Sequence, residues 1–221
     1  MNRLAELHLE ATALTGLPAS VENLSGVSVI NLSYCKHLES LPSSIFRLIC
    51  LKTLDLSGCL KHKNLPDDLG LLVGLEDLHC TGTAIRTIPS SISLLKNLKH
   101  LSLRGCNALG SQVSSSSHSQ KSMGVNFQNL SGLCSLTMLD LSDCNISDRD
   151  ILHNLGFLPS LVELYLDGNN FSNIPTGCIS RLTRLEVLAL TGCRRLESFP
   201  EVPRSIERLY ANECTSLKSI E

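Results

Sequence analysis

Reactive side chains are plentiful in this chain of 221 residues, which holds ten cysteines and seven histidines. Thiolates and imidazoles serve as nucleophiles, bases or metal ligands when they converge. No Cys-x-x-Cys pair occurs, and there is no Gly-x-Ser-x-Gly elbow, no His-Glu-x-x-His and no phosphate-cradling Gly-x-x-x-x-Gly-Lys. Histidines 8, 37, 62, 79, 100, 118 and 153 are scattered. The nearest approach to a metal site is Asp77, His79 and His100, two imidazoles and a carboxylate that could hold zinc. Solvated polar residues on a binding face are the commoner meaning of such a trio, so neither metal nor cofactor is expected and the chain reads as non-catalytic.

The cysteines follow a different logic. The stretch LKTLDLSGC, residues 51–59, returns along the whole chain. Its first apolar residue falls at Leu4, Val27, Leu51, Leu75, Leu98, Leu136, Leu161, Leu185 and Ile206, in steps of 23, 24, 24, 23, 38, 25, 24 and 21. Apolar residues recur three and five places on, and eight places on stand Thr12, Cys35, Cys59, Thr83, Cys106, Cys144, Asn169, Cys193 and Cys214. Offsets three and five lie two apart on a strand and so share its inner face, while offsets two, four and six point out. At offset eight the chain must turn, leaving buried backbone groups in need of partners. A small polar residue or a thiol suits that slot, so these nine are expected to form a structural ladder.

The phrase matches the leucine-rich repeat, L-x-x-L-x-L-x-x-N/C-x-L, with one strand per unit. The expected fold is an α/β solenoid: a curved horseshoe with a parallel sheet on the concave face and short helices, 3₁₀ turns and loops on the convex face. Leu-Pro or Ile-Pro follows most strands, and Leu41, Ile45, Leu48 and Ile88, Ile92, Leu95 have helical spacing behind such a proline. One array of about nine repeats spans 1–221, uncapped at both ends because Leu4 and Ile220 lie so near the termini. The exception to the period is residues 110–127, GSQVSSSSHSQKSMGVNF, about 14 residues beyond a standard step. Its serine-rich composition predicts a flexible insertion, a tolerated loop whose serines could accept phosphate.

Composition narrows the function. Nineteen Lys plus Arg against twenty-one Asp plus Glu give a net charge of −2, with no broad positive field for nucleic acid or anionic lipid. No apolar run reaches the ~18 residues that span a bilayer. The outward strand offsets are the candidate protein-binding residues: Glu6, His8, Glu10, Asn31, Asp55, Asp77, His79, His100, Arg104, Asp140, Glu163, Tyr165, Asp167, Arg208 and Tyr210. The face is mainly acidic, and Tyr165, Tyr210 and Arg208 have the composition of interface anchors. Five Asn-x-Ser sequons, at Asn23, Asn31, Asn129, Asn145 and Asn170, would suit a secreted receptor. Cysteines at equal positions of adjacent units argue instead for a reducing cytosol or nucleus.

The phrases LPSSIFRLICLKTLDLSGC and TAIRTIPSSISLLKNLKHLSLRGC resemble the leucine-rich region of plant intracellular immune receptors of the TIR, nucleotide-binding, leucine-rich-repeat type. The resemblance covers essentially the whole chain. It implies a cytoplasmic, possibly nucleocytoplasmic, recognition module for a pathogen effector or a guarded host protein. It also implies a second partner, the nucleotide-binding domain of the full-length receptor, which such a module holds inactive. The chain has neither a TIR segment nor a phosphate-binding loop of its own. A general cytosolic leucine-rich scaffold, similar to the Ras-associated repeat proteins that share L-P-x-x-I, is the alternative.

Overall fold

The computed structural model describes residues 3–110, 127–148 and 152–218. Nine three-residue strands form one parallel sheet in sequence order: β1 (Glu6–His8), β2 (Val29–Asn31), β3 (Thr53–Asp55), β4 (Asp77–His79), β5 (His100–Ser102), β6 (Met138–Asp140), β7 (Glu163–Tyr165), β8 (Val187–Ala189) and β9 (Arg208–Tyr210). Each begins two residues into its repeat. The register never slips, so Leu54 lies between Ile30 and Leu78, and Leu139 between Leu101 and Leu164. A one-residue slip would turn every inward leucine outward, and that cost fixes the pairing.

The core is a set of aliphatic columns. Leu54, Leu56, Leu78, Leu101, Leu103, Leu139, Leu141, Leu164, Leu166, Leu188 and Leu190 are fully buried. At the two ends the columns are thinner: Leu7 and Leu9 are only partly buried, and Leu209 is 39% exposed.

The first six connections on the convex side carry 3₁₀ turns of five or six residues, such as Ser43–Arg47, Asp67–Leu71 and Ser90–Leu94, and the last two carry none. Pro42, Pro66 and Pro89 precede these three in extended conformation, supplying a carbonyl but no amide. The amide three residues on bonds that carbonyl, as Ile45 N does to Pro42 O at 3.0 Å. Strands stack every ~4.8 Å, whereas an α-helix is ~10 Å wide. The thinner 3₁₀ turn lets the convex side keep pace with less curvature.

A third column was not anticipated from sequence. Seven places into every repeat the backbone is left-handed: Ala11, Tyr34, Gly58, Gly82, Gly105, Asp143, Gly168, Gly192 and Glu213 all have φ between 55° and 73°. This residue swings the chain off the strand towards the ladder slot. Glycine adopts the conformation freely, but a side chain there costs roughly 1–2 kcal/mol. The serine-rich stretch predicted to be a loop lies, from 111 to 126, outside the described residues.

Candidate protein-binding face

Behind the sheet, the ladder residues occupy one line. Thiols donate across to the preceding repeat: Cys35 Sγ to Leu9 O (3.1 Å), Cys59 to Leu32 O (3.2 Å), Cys106 to Cys80 O (3.2 Å), Cys144 to Leu103 O (3.0 Å), Cys193 to Leu166 O (3.3 Å) and Cys214 to Leu190 O (3.1 Å). Thr12 and Thr83 donate within their own repeats, to Leu9 O and Cys80 O. Asn169 bonds more extensively, donating to Leu141 O (2.9 Å) and Leu166 O (2.8 Å) while accepting from the amides of Cys144 and Ile146. All ten cysteines are free. Burial pushes the Cys59 thiol up to about 11 and the Cys193 thiol up to about 12, so these sulfurs are poor nucleophiles.

In front, the outward residues form three columns, and the register decides which of them meet. Asp77 stands between Thr53, which donates to its Oδ2 at 3.1 Å, and His100, whose Nδ1 bonds its Oδ1. His79 lies one column over, and beside it opens a hollow of about 430 Å³ lined by His79, His100, Thr137, Met138, Val162 and Glu163. Among the described residues no three potential metal ligands converge. On β1, His8 bonds the flanking Glu6 and Glu10, and these exposed carboxylates raise its pKa. Arg104 Nε lies 3.7 Å from the Asp143 carboxylate.

Several outward polar side chains are already committed. Asp55 Oδ1 accepts the amide of Ser57, Asp140 that of Ser142, and Asn31 that of Ser33. Each side chain serves an amide that the strand pairing leaves without a backbone partner. Asp167 reaches across to the Thr191 amide at 2.6 Å, and burial, with Asp140 nearby, raises its pKa despite that bond. These residues shape the face as much as they advertise charge.

The least committed ground is at the far end. Glu163 and Arg208 flank Val187, while Tyr165 and Tyr210 flank Ala189. Val187 and Ala189 are 2% and 4% exposed, a small apolar floor between taller walls. Tyr165 donates to Glu163 Oε2 at 2.8 Å; burial first, then that carboxylate, pushes its pKa up to about 12. Tyr210 is 43% exposed and Arg208 is exposed as well. Val187 and Ala189 were not among the sequence candidates because apolar outward residues carry no chemical signal on their own.

A single parallel sheet with inward leucine columns and a buried ladder behind it defines a leucine-rich-repeat solenoid. Residues 61–220 match the model for the leucine-rich repeats of RPS4B-like disease resistance proteins, and the chain belongs to that family. It is 34% identical to the disease resistance-like protein DSC1 of Arabidopsis thaliana over 97% of its own length and 16% of that protein's. With TMV resistance protein N of Nicotiana glutinosa it shares 35% identity over 62% of its length and 11% of the relative. The chain thus spans less than a fifth of these relatives. Among solved structures, the leucine-rich domain of the type III effector XopL superposes with a TM-score of 0.73 at 28% identity, covering 94% of this chain and 69% of that one. Internalin C2 of Listeria monocytogenes superposes with 0.65 at 30% identity, covering 86% and 72%.

Proposed function

We propose that the concave face is the protein-recognition surface of an intracellular plant immune receptor. In that setting it senses an effector or a guarded host protein and restrains the receptor's nucleotide-binding core until then. The observation that supports this reading best is the patch on β7 to β9, where Tyr165, Tyr210 and Arg208 stand around a buried apolar floor on a rigid sheet. Aromatic and arginine anchors over a dry centre are what interface hot spots require. No step of chemistry is assigned to the chain. Among the described residues no helix is long and apolar enough to cross a membrane, and ten free thiols fit the reducing cytoplasm or nucleus.

The test places these repeats in a full-length receptor of the family and expresses it in leaf tissue with its cognate effector. Tyr165→Ala with Arg208→Ala should either abolish effector-triggered cell death or release it without effector, at unchanged protein level. Wild-type response and wild-type silence together would remove the concave patch from recognition and restraint alike.

A further inference from the structure

The left-handed column contains a costly exception. Where most repeats place glycine, the second places Tyr34 at φ 59°, and its side chain is 61% exposed. The ring lies over the next turn: a Cβ on Gly58 would come within 2.7 Å of Tyr34 Cδ1. A bulky residue in this conformation, displayed to solvent rather than buried, gains nothing for the core. Strain that persists without a packing return points to use.

What surrounds Tyr34 is a second surface, on the rim where the chain leaves the ladder. A hollow of about 450 Å³ is lined by Ala11, Thr12, Ala13, Tyr34, Lys36 and His37. One repeat along, Leu60 is 57% exposed and Lys61 and Lys63 are exposed beside it. In the two rim segments, 34–40 and 58–64, the only carboxylate is Glu39, 3.7 Å from Lys61. Lys36 therefore presents positive charge beside the aromatic ring and the hollow, and Lys63 adds a second exposed charge further along the rim of the next repeat, on a molecule whose net charge is −2.

We infer that this rim docks an acidic protein segment carrying an apolar side chain. The hollow beside Tyr34 takes the apolar group, and Lys36 and Lys63 meet the flanking carboxylates. The ring is held in place by its own turn and by Gly58, so it binds at little entropic cost. A nucleic acid is the poorer fit, because the neighbouring concave face carries Glu6, Glu10 and Asp55 against a continuous phosphate chain. The inference concerns a surface separate from the β7 to β9 patch and stands or falls independently of it.

The experiment measures fluorescence anisotropy of a short labelled peptide of glutamate and serine with one central leucine, titrated with the full chain. Saturable binding is expected, reduced about tenfold or more by Lys36→Glu with Lys63→Glu, and absent for a peptide with lysine in place of glutamate. Tyr34→Gly should weaken binding to a similar degree while the melting temperature holds or rises, since glycine relieves the turn. Tyr165→Ala with Arg208→Ala should leave the affinity unchanged. No binding of the acidic peptide, equal binding by the Lys36→Glu/Lys63→Glu variant, or tighter binding of an oligothymidylate would overturn the inference.

Discussion

Asn169 and the six thiols occupy the same line of the solenoid, yet they solve different problems. In the repeats of Cys35, Cys59, Cys106, Cys193 and Cys214, the next core side chain stands three places beyond the thiol, and the chain closes a second tight turn on itself. There the amide of Leu38 bonds Cys35 O at 2.9 Å, and those of His62, Leu109, Leu196 and Leu217 do likewise. The sulfur has only one carbonyl left to serve. In the repeat of Cys144 the next core residue is Ile146, one residue sooner, so no such turn can close. The stranded amides of Cys144 and Ile146 are met from the next repeat by Asn169 Oδ1, at 3.2 and 3.0 Å. A self-closing loop tolerates a weak donor, and the short loop after Cys144 is met by an amide from its neighbour, although the short loops after Thr12, Thr83 and Asn169 lie beside the thiols of Cys35, Cys106 and Cys193.

Exchanging the two residue types should therefore fail in both directions. Asn169→Cys leaves two buried amides and part of two carbonyls unpaired, each worth roughly 1–3 kcal/mol, and about 3 kcal/mol or more of stability should be lost in urea unfolding. A loss below about 1 kcal/mol would mean that the short loop finds other partners. Cys59→Asn is the smaller injury. The amides of Cys35 and Leu38 are already bonded within their own loop, at 3.2 and 2.9 Å, so the introduced carbonyl is buried without a donor. About 2 kcal/mol is expected, and a stabilised variant would mean that the self-closing loop can still supply the introduced amide with a partner.

Much of the solenoid was legible because each repeat restates it. Offsets three and five name the inward leucines, and register then follows without further information, which is why Tyr165, Arg208 and Tyr210 could be placed on one face. Hydrogen bonding was less legible. Whether Asp55 projects charge or caps the Ser57 amide depends on rotamers that the residue type does not reveal. Tyr34 left a signal in the sequence, an interrupted column of glycines at 58, 82, 105, 168 and 192, but the signal has meaning only once that column is known to be left-handed. The 3₁₀ turns were ambiguous for a simpler reason: five residues are too few to separate a period of 3.0 from one of 3.6.

His62 tests the same loops from the inside. It is 1% exposed in the slot that Leu38 and Ile85 fill in the adjoining repeats, and neither ring nitrogen has a hydrogen-bond partner. Burial lowers its pKa, offset only in part by the neighbouring Glu39 backbone. The folded protein thus binds this proton less readily than the unfolded chain does. Stability should be complete above about 6.5, the ordinary histidine value, and fall as the pH drops through the lowered one. His62→Leu should add about 1–2 kcal/mol at neutral pH and flatten that decline. An unchanged acid profile would shift the cause to the carboxylates.

Gly82→Ala sets the scale for the turn that both kinds of loop share. At φ 66° an alanine is strained, yet a Cβ there would meet nothing within 4 Å. No packing term enters, so the measured loss is the dihedral cost alone, about 1 kcal/mol. Equality with the penalty relieved by Tyr34→Gly would show that the left-handed turns are energetically interchangeable. A cost near zero would mean instead that the turn relaxes when substituted, and Tyr34 would then be displayed without strain.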